Sequence, residues 1–251
     1  MRIVVVGGSG LLGSRLVMRL AGEGHDAVAA SPSTGVDTLT GRGVADVLAG
    51  TDVVVDVTNS PSFADDAVLD FFTRSGRTLL AAEEAAGVRH HVAVSIVGTD
   101  RLPGSGYLRA KVAQEELVAA SGVPWTVLRA TQFHEFVASI VASLTEDGVV
   151  RVPDARLQTV AADEVAATLA RLAADDPRHG RIELGGPEAT SFAEAARRSL
   201  AAQGTEREVV TDPSARYFGT PLTGDELVAG ADALHGTVRF DEWLHTPAGV
   251  R

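Results

Sequence analysis

The segment that most narrows the possible folds is Ile3-Val4-Val5-Val6-Gly7-Gly8-Ser9-Gly10-Leu11-Leu12-Gly13-Ser14-Arg15. Four β-branched residues run into clustered glycines and then into the first turn of a helical pattern, which is how a βαβ unit begins. Gly8, Gly10 and Gly13 satisfy the G-x-G-x-x-G spacing, and Gly7, Gly10 and Gly13 satisfy the looser G-x-x-G-x-x-G spacing. Either register has the same consequence. Glycines permit positive φ in the turn and a close approach of backbone to ligand, while the free N–H groups of the helix start attract an anion. Gly7, Gly8, Ser9, Gly10, Leu11, Leu12 and Gly13 are therefore the candidate cradle for the pyrophosphate of a nicotinamide dinucleotide.

NAD recognition of this kind places a carboxylate near the end of the second strand, where it bonds the ribose 2′-hydroxyl. Here that stretch reads Ala29-Ala30-Ser31-Pro32-Ser33-Thr34-Gly35, with Asp26 too early and Asp37 too late. Small hydroxyls at Ser31 and Ser33 leave room for a 2′-phosphate, and Arg15 offers it charge. The expected cofactor is NADP(H) in preference to NAD(H).

Short β-branched runs alternate with Ala- and Leu-rich stretches through the first half. The pattern predicts strands at Ile3–Val6, Ala27–Ala30, Val53–Val57, His91–Ser95 and Thr126–Arg129. Helices are expected at Leu11–Ala21, Ala64–Ala86, Leu108–Ala120 and His134–Leu144. The implied fold is α/β, a Rossmann-type doubly wound parallel sheet. Between Ser31 and Asp52 only a short amphipathic piece, Gly43–Leu48, is available, so one crossover is abbreviated. After Arg151 the alternation weakens, with a helix at Asp163–Ala174, a strand at Arg181–Leu184 and a helix at Phe192–Ala202. The expected division is a dinucleotide-binding core over residues 1–150 and a smaller substrate-side lobe over 151–251, with the strand near 181–184 returning to the core.

Of 22 basic residues only Lys111 is a lysine, and one of the two tyrosines, Tyr107, stands four positions before it. Residues four apart share a helix face, so phenol and ammonium are expected side by side. A cation beside a phenol favours phenolate and is expected to lower the tyrosine pKa from about 10 toward neutrality, suiting proton transfer to a carbonyl oxygen. Lysine offers a compact ammonium that also reaches ribose hydroxyls, which arginine does less well. Ser95 closes the preceding strand with a hydroxyl placed to bind the same substrate oxygen.

Together the glycine motif, Ser95 and Tyr107-Leu108-Arg109-Ala110-Lys111 resemble a short-chain dehydrogenase/reductase. The abbreviated early region, Ser95-Ile96-Val97-Gly98 and Leu128-Arg129-Ala130-Thr131-Gln132-Phe133 resemble more narrowly its atypical, NmrA-like NAD(P)-binding branch. The resemblance is specific over residues 1–145. It implies Tyr107 as acid/base, Lys111 on the nicotinamide ribose and Ser95 on the substrate. It also implies that Thr58, Asn59 and the stretch from Thr131 to Phe133 line the cofactor cleft. The activity it implies is reduction of a carbonyl, enone or quinone of a small apolar molecule. The branch also holds NADP-binding sensors without turnover, many lacking the tyrosine kept here, and redox-neutral relatives of the epimerase or cyclase kind remain an alternative.

Composition narrows the partners. A net charge of −11 disfavours nucleic acid and anionic membrane surfaces. Without cysteine there are no disulfides and no thiolate chemistry. No apolar run approaches a membrane span and no leader precedes Ile3, so a cytoplasmic location is expected. His134-Glu135 lacks the second histidine of a zinc site, so no metal is expected. His90-His91 reads as structural or solvated, His134 as a candidate for touching substrate, and the pairs Glu83-Glu84 and Asp175-Asp176 as solvated. Phe133, Phe136, Val137, Ile140 and Leu144 read as core or a dimer face, and a homodimer is expected on symmetry grounds.

Overall fold

The computed structural model describes residues 1–247 and Gly249. Among these residues a seven-stranded parallel sheet runs in the order β12-β9-β5-β4-β3-β1-β2. Its members are β1 (Arg2–Val6), β2 (Asp26–Ala30), β3 (Val53–Asp56), β4 (His90–Ile96), β5 (Trp125–Ala130), β9 (Gly180–Gly185) and β12 (Leu234–His235). The helices between them are α1 (Leu11–Gly22), α2 (Val44–Leu48), α3 (Asp65–Ala86), α4 (Gly106–Ala120), α5 (Val137–Ser143) and α6 (Ala162–Ala174).

Strands β3 and β5 are buried along their whole length, as expected of parallel strands covered on both faces. Register is in step across the centre, with Val4 opposite both Val28 and Val54, and Val54 opposite His91. After β2 the chain crosses back over β1 to β3, and the abbreviated connection contains only a 3-10 turn and the five-residue α2. The carboxyl ends of β1 and β3 therefore flank the point where strand order reverses, where such sheets open a crevice.

The chain falls into two compact units, but not by a cut at residue 150 as expected. The first comprises Met1–Ser95, Gly106–Arg129 and Val165–Ile182; the second comprises Ile96–Ser105, Ala130–Glu164 and Glu183–Arg251. Most of α6 thus belongs with the core, because its apolar stripe of Val165, Ala166, Leu169 and Leu172 is fully buried and needs a sheet to cover. In the second unit β7 (Val149–Val152) pairs with β6 (Thr145–Glu146) antiparallel and with β11 (Val209–Thr211) in parallel. There β8 (Arg156–Leu157) pairs antiparallel with β10 (Thr190–Ser191), and α7 (Phe192–Ala202) starts on the Ser191 cap, whose hydroxyl accepts from Glu194 N at 3.1 Å. A short α8 (Phe240–Leu244) follows β12.

Candidate active site

The turn after β1 is built from missing side chains. Gly7 adopts φ +84°, and its N–H donates to Ala30 O at 2.8 Å, joining the turn to β2. A Cβ on Gly8 would lie 2.7 Å from Ala29 Cα, and one on Gly13 would lie 2.2 Å from Gly7 O. Gly7 thus serves the bend, Gly8 the approach of β2 and Gly13 the seat of α1, so both candidate spacings carry structure. Gly10 differs: it is extended and exposed, and a Cβ there would meet only Gly7 O at 3.3 Å. No side chain caps the helix and no acid occupies its first turn. Bare N–H groups beside an open backbone fit a pyrophosphate, while Leu12 is buried and contributes packing.

At the end of β2 the buried Ser31 places Oγ 2.9 Å from Ser33 Oγ, which in turn donates to Ser9 Oγ at 3.4 Å. Three hydroxyls thus adjoin the turn. The neighbouring acids are engaged elsewhere: Asp26 accepts from Arg2 at 2.8 Å, and Asp37 accepts from the Leu39 and Thr40 amides. Arg15 donates to Leu11 O at 2.9 Å, along its own helix.

The end of β3 lies against the same turn, since a Cβ on Gly7 would sit 3.1 Å from Thr58 N. Asp56 is buried and uses Oδ1 to accept from Thr58 N at 2.9 Å and from Thr58 Oγ1 at 2.7 Å. Asn59 follows, and its Oδ1 accepts from the Tyr107 hydroxyl at 3.1 Å. The Tyr107 ring meets Phe63 edge-on, with centroids 5.2 Å apart. Burial pushes its phenol up to about 12.

Lys111 does not produce the expected lowering of that phenol. Its Nζ donates to Val94 O at 2.9 Å and to Gln114 Oε1, and it lies 4.5 Å from the centre of the Phe72 ring. The ammonium is thus held between sheet and helix, and burial pulls it down to about 8 although Asp56 and Glu115 oppose that shift. A shared helix face did bring Tyr107 and Lys111 to one side of α4, where both meet the Phe72 ring, but the phenol bonds to Asn59 and the ammonium to Val94 and Gln114.

Ser95 is buried at the end of β4. Burial works to raise the Glu115 carboxyl, but Arg129, Ser95 and Arg181 outweigh it and hold the group below the usual range. Arg129 grips Glu115 with two hydrogen bonds, at 2.9 and 2.7 Å, and Arg181 adds one at 2.6 Å. This belt of Asp56, Gln114, Glu115, Arg129 and Arg181 was missed in the sequence. Helical spacing was the available signal for two of its members, since Gln114 and Glu115 stand three and four positions after Lys111.

The first unit therefore gathers Gly7 to Gly13, Ser31, Ser33, Thr58, Asn59, Ser95, Tyr107 and Lys111. Thr131 and Phe133 fall in the second unit, where Thr131 N donates to Leu184 O at 2.9 Å and Phe133 stacks on Phe136 with centroids 5.5 Å apart. Two other readings are corrected. His134 is a core residue, bonded to Thr159 Oγ1 at 2.8 Å and Val238 O at 3.1 Å and covered by Phe240 and Trp243. Glu83 is fully buried, not solvated, and both its oxygens lie 2.9 Å from His91 Nδ1. His90 is buried too, its Nε2 2.9 Å from Thr126 Oγ1, in keeping with a structural role. Among the described residues no cluster of three His, Asp or Glu is placed to hold a metal, and no helix is long and apolar enough to cross a membrane.

Fold and turn together define a Rossmann-type protein with a turn for a nicotinamide dinucleotide. Residues 7–176 match the NAD(P)H-binding family, and the chain belongs to it. It is 31% identical over 247 residues to a (4-alkanoyl-5-oxo-2,5-dihydrofuran-3-yl)methyl phosphate reductase of Streptomyces griseus, covering 92% of this chain and 78% of the relative. Among solved structures, a short-chain dehydrogenase/reductase superfamily protein of Agrobacterium tumefaciens with bound NAD superposes with TM-score 0.72 at 19% identity, over 98% of this chain and 95% of the other. An NADPH-dependent quinone oxidoreductase of Escherichia coli gives TM-score 0.61 at 19% identity, over 84% and 78%. The Thermus thermophilus UDP-glucose 4-epimerase complex with NAD gives 0.69 at 20%, over 89% and 90%. These structural likenesses show the fold.

Proposed function

We propose that this protein is an NADPH-dependent reductase of small, largely apolar molecules bearing a conjugated carbonyl, such as an enone, a quinone or an acylated furanone. The observation that carries the reading is the run of neighbours Gly7, Thr58, Asn59 and Tyr107, which sets a proton-bearing phenol beside the phosphate turn. The Streptomyces griseus relative supports the conjugated carbonyl alone, since its named substrate is a dihydrofuranone methyl phosphate with an alkanoyl group conjugated to the ring double bond.

When bound, the reduced nicotinamide supplies a hydride. Tyr107, with its phenol up at about 12, keeps its proton across the physiological range and serves as donor to the oxygen that gains charge, not as a phenolate base. Asn59 orients that hydroxyl. Lys111 has three N–H donors, two of them on Val94 O and Gln114, and the third serves a ribose hydroxyl. Ser95 is the second candidate ligand for the reacting oxygen. The hydroxyls of Ser9, Ser31 and Ser33, without a carboxylate among them, favour a 2′-phosphate over a bare ribose.

One observation favours binding without turnover: the Lys111 ammonium is held on Val94 O and Gln114 Oε1, and the Tyr107 phenol is raised, not lowered. Following nicotinamide absorbance over a panel of quinones, enones and ketones decides between the two. Tyr107→Phe is expected to lower kcat by about 10²- to 10⁴-fold with NADPH affinity kept. Tight NADPH binding with no turnover by the wild type across the panel would replace the reductase with the sensor.

A further inference from the structure

Gln114 has no role in the chemistry above, yet it lies buried between the two halves of the site. Its partners each permit one role only. The Lys111 ammonium donates and cannot accept, and the Asp56 carboxylate accepts and cannot donate. Gln114 Oε1 therefore faces Lys111, and Nε2 donates to Asp56 Oδ2 at 2.9 Å. The other oxygen of Asp56 takes the amide and hydroxyl of Thr58, which lies against Gly7 of the phosphate turn. One side-chain amide thus ties the end of β3 to the lysine of α4.

Stability alone does not call for this arrangement. A methionine would fill the helix–sheet interior without burying an amide, and Asp56 and Lys111 left to themselves would pair directly. The interposed amide instead keeps them one side chain apart.

We propose that Gln114 is a positioning residue that sets the distance between the Thr58–Asn59 turn and the Lys111 ammonium, so that both meet the same bound nicotinamide dinucleotide. The inference rests on the proposed placement of the cofactor against Thr58 and Lys111. The charged and titratable groups around it are Asp56 on β3, Lys111 and Glu115 on α4, Glu83 on α3 and His91 on β4. Glu115 is already held by Arg129 and Arg181, and Glu83 by His91, so a new charge at position 114 acts first on its own hydrogen-bond partners, Asp56 and Lys111.

Gln114→Glu is the deciding variant. With its carboxyl protonated it reproduces the amide, donating to Asp56 and accepting from Lys111. Ionised, it sets a second carboxylate against Asp56 and loses the donor, and two carboxylates at that distance share a proton that is lost as pH rises. NADPH dissociation constants are read by nicotinamide fluorescence, each as a ratio to wild type at the same pH. The Gln114→Glu ratio is expected near one at about pH 6 and about tenfold at about pH 8, while Gln114→Met is weakened about tenfold at both. By linkage the Gln114→Glu thermal midpoint also falls between those pH values, so every dissociation constant is taken well below the midpoint, where the variant is folded. The proposal is overturned if the Gln114→Glu ratio is the same at both pH values or if Gln114→Met binds like wild type. It is equally overturned if Gln114→Glu has no cooperative thermal transition at about pH 6, which would assign the amide to the fold. A wild type that binds NADPH but reduces nothing defeats the reductase reading and leaves this ratio test intact.

Discussion

The glycine turn after β1 and the polar belt beneath Tyr107 belong to the same compact unit, yet they are specified by opposite means. The turn is made by omission: Gly7, Gly8 and Gly13 stand where a Cβ would strike backbone. Its partners are main-chain atoms of Val57, Ala29 and Gly7 itself, so its tolerance is set by a few ångströms of local chain. The belt is made by matching, with Asp56, Lys111, Gln114, Glu115, Arg129 and Arg181 drawn from one helix and three strands. A site of the first kind is broken by adding an atom. One of the second kind is broken by removing a charge.

The largest expected effect comes from the belt. Glu115→Ala leaves Arg129 buried without its counter-charge and is expected to cost roughly 3–5 kcal/mol in denaturant unfolding. A cost like that of an exposed ion pair would erase the distinction drawn here. The turn follows: Gly13→Ala puts a methyl group into Gly7 O and is expected to cost about 1–3 kcal/mol and to abolish measurable NADPH binding. Unchanged cofactor affinity in that variant would show that α1 shifts without disturbing the cradle. Smaller again, Ser33→Asp should lower NADPH affinity relative to NADH by about tenfold, because the new carboxylate opposes a 2′-phosphate. An unaltered ratio would remove the case for NADPH.

The smallest effect is a dependence on pH. His91 is raised above its ordinary value by Glu83, in spite of burial, and burial raises Glu83 as well. The folded pair thus holds a proton more firmly than the unfolded chain. Its stabilisation is complete below the ordinary histidine range and fades as pH climbs through the raised His91 value. In Glu83→Gln the histidine is buried without an acid, its pKa falls, and the slope of stability against pH is expected to reverse sign over about pH 5 to 7. Urea midpoints across that interval measure it, and parallel slopes for the two proteins would mean the pair does not titrate with folding.

The legibility of the two regions in the sequence follows the same division. Glycine spacing after a β-branched run is local, so the turn, its neighbouring strands and the nicotinamide cofactor could be read from the first residues. The Tyr107 and Lys111 pair stood out as a lone lysine beside a rare tyrosine, but not the company each keeps. Lys111 was expected to act on the phenol four residues away; instead Val94, Gln114 and Phe72 take it inward. Glu83 read as solvated because charge on a helix defaults to water, although Gly76, Leu79 and Leu80 share its buried face. His134 read as a candidate for touching substrate because the rings that cover it come from the far C-terminal segment.

By itself, then, the sequence determined the alternation of strand and helix, the phosphate turn and the family, because hydrophobic period and glycine placement act over a few residues. Only the tertiary structure decided that Val165–Ile182 belongs with the core, that Lys111 hangs from Gln114, and that Glu115 holds two arginines. Each of those depends on which distant strand or helix supplies the opposing surface, and a buried charge takes whatever partner packing brings within hydrogen-bond reach.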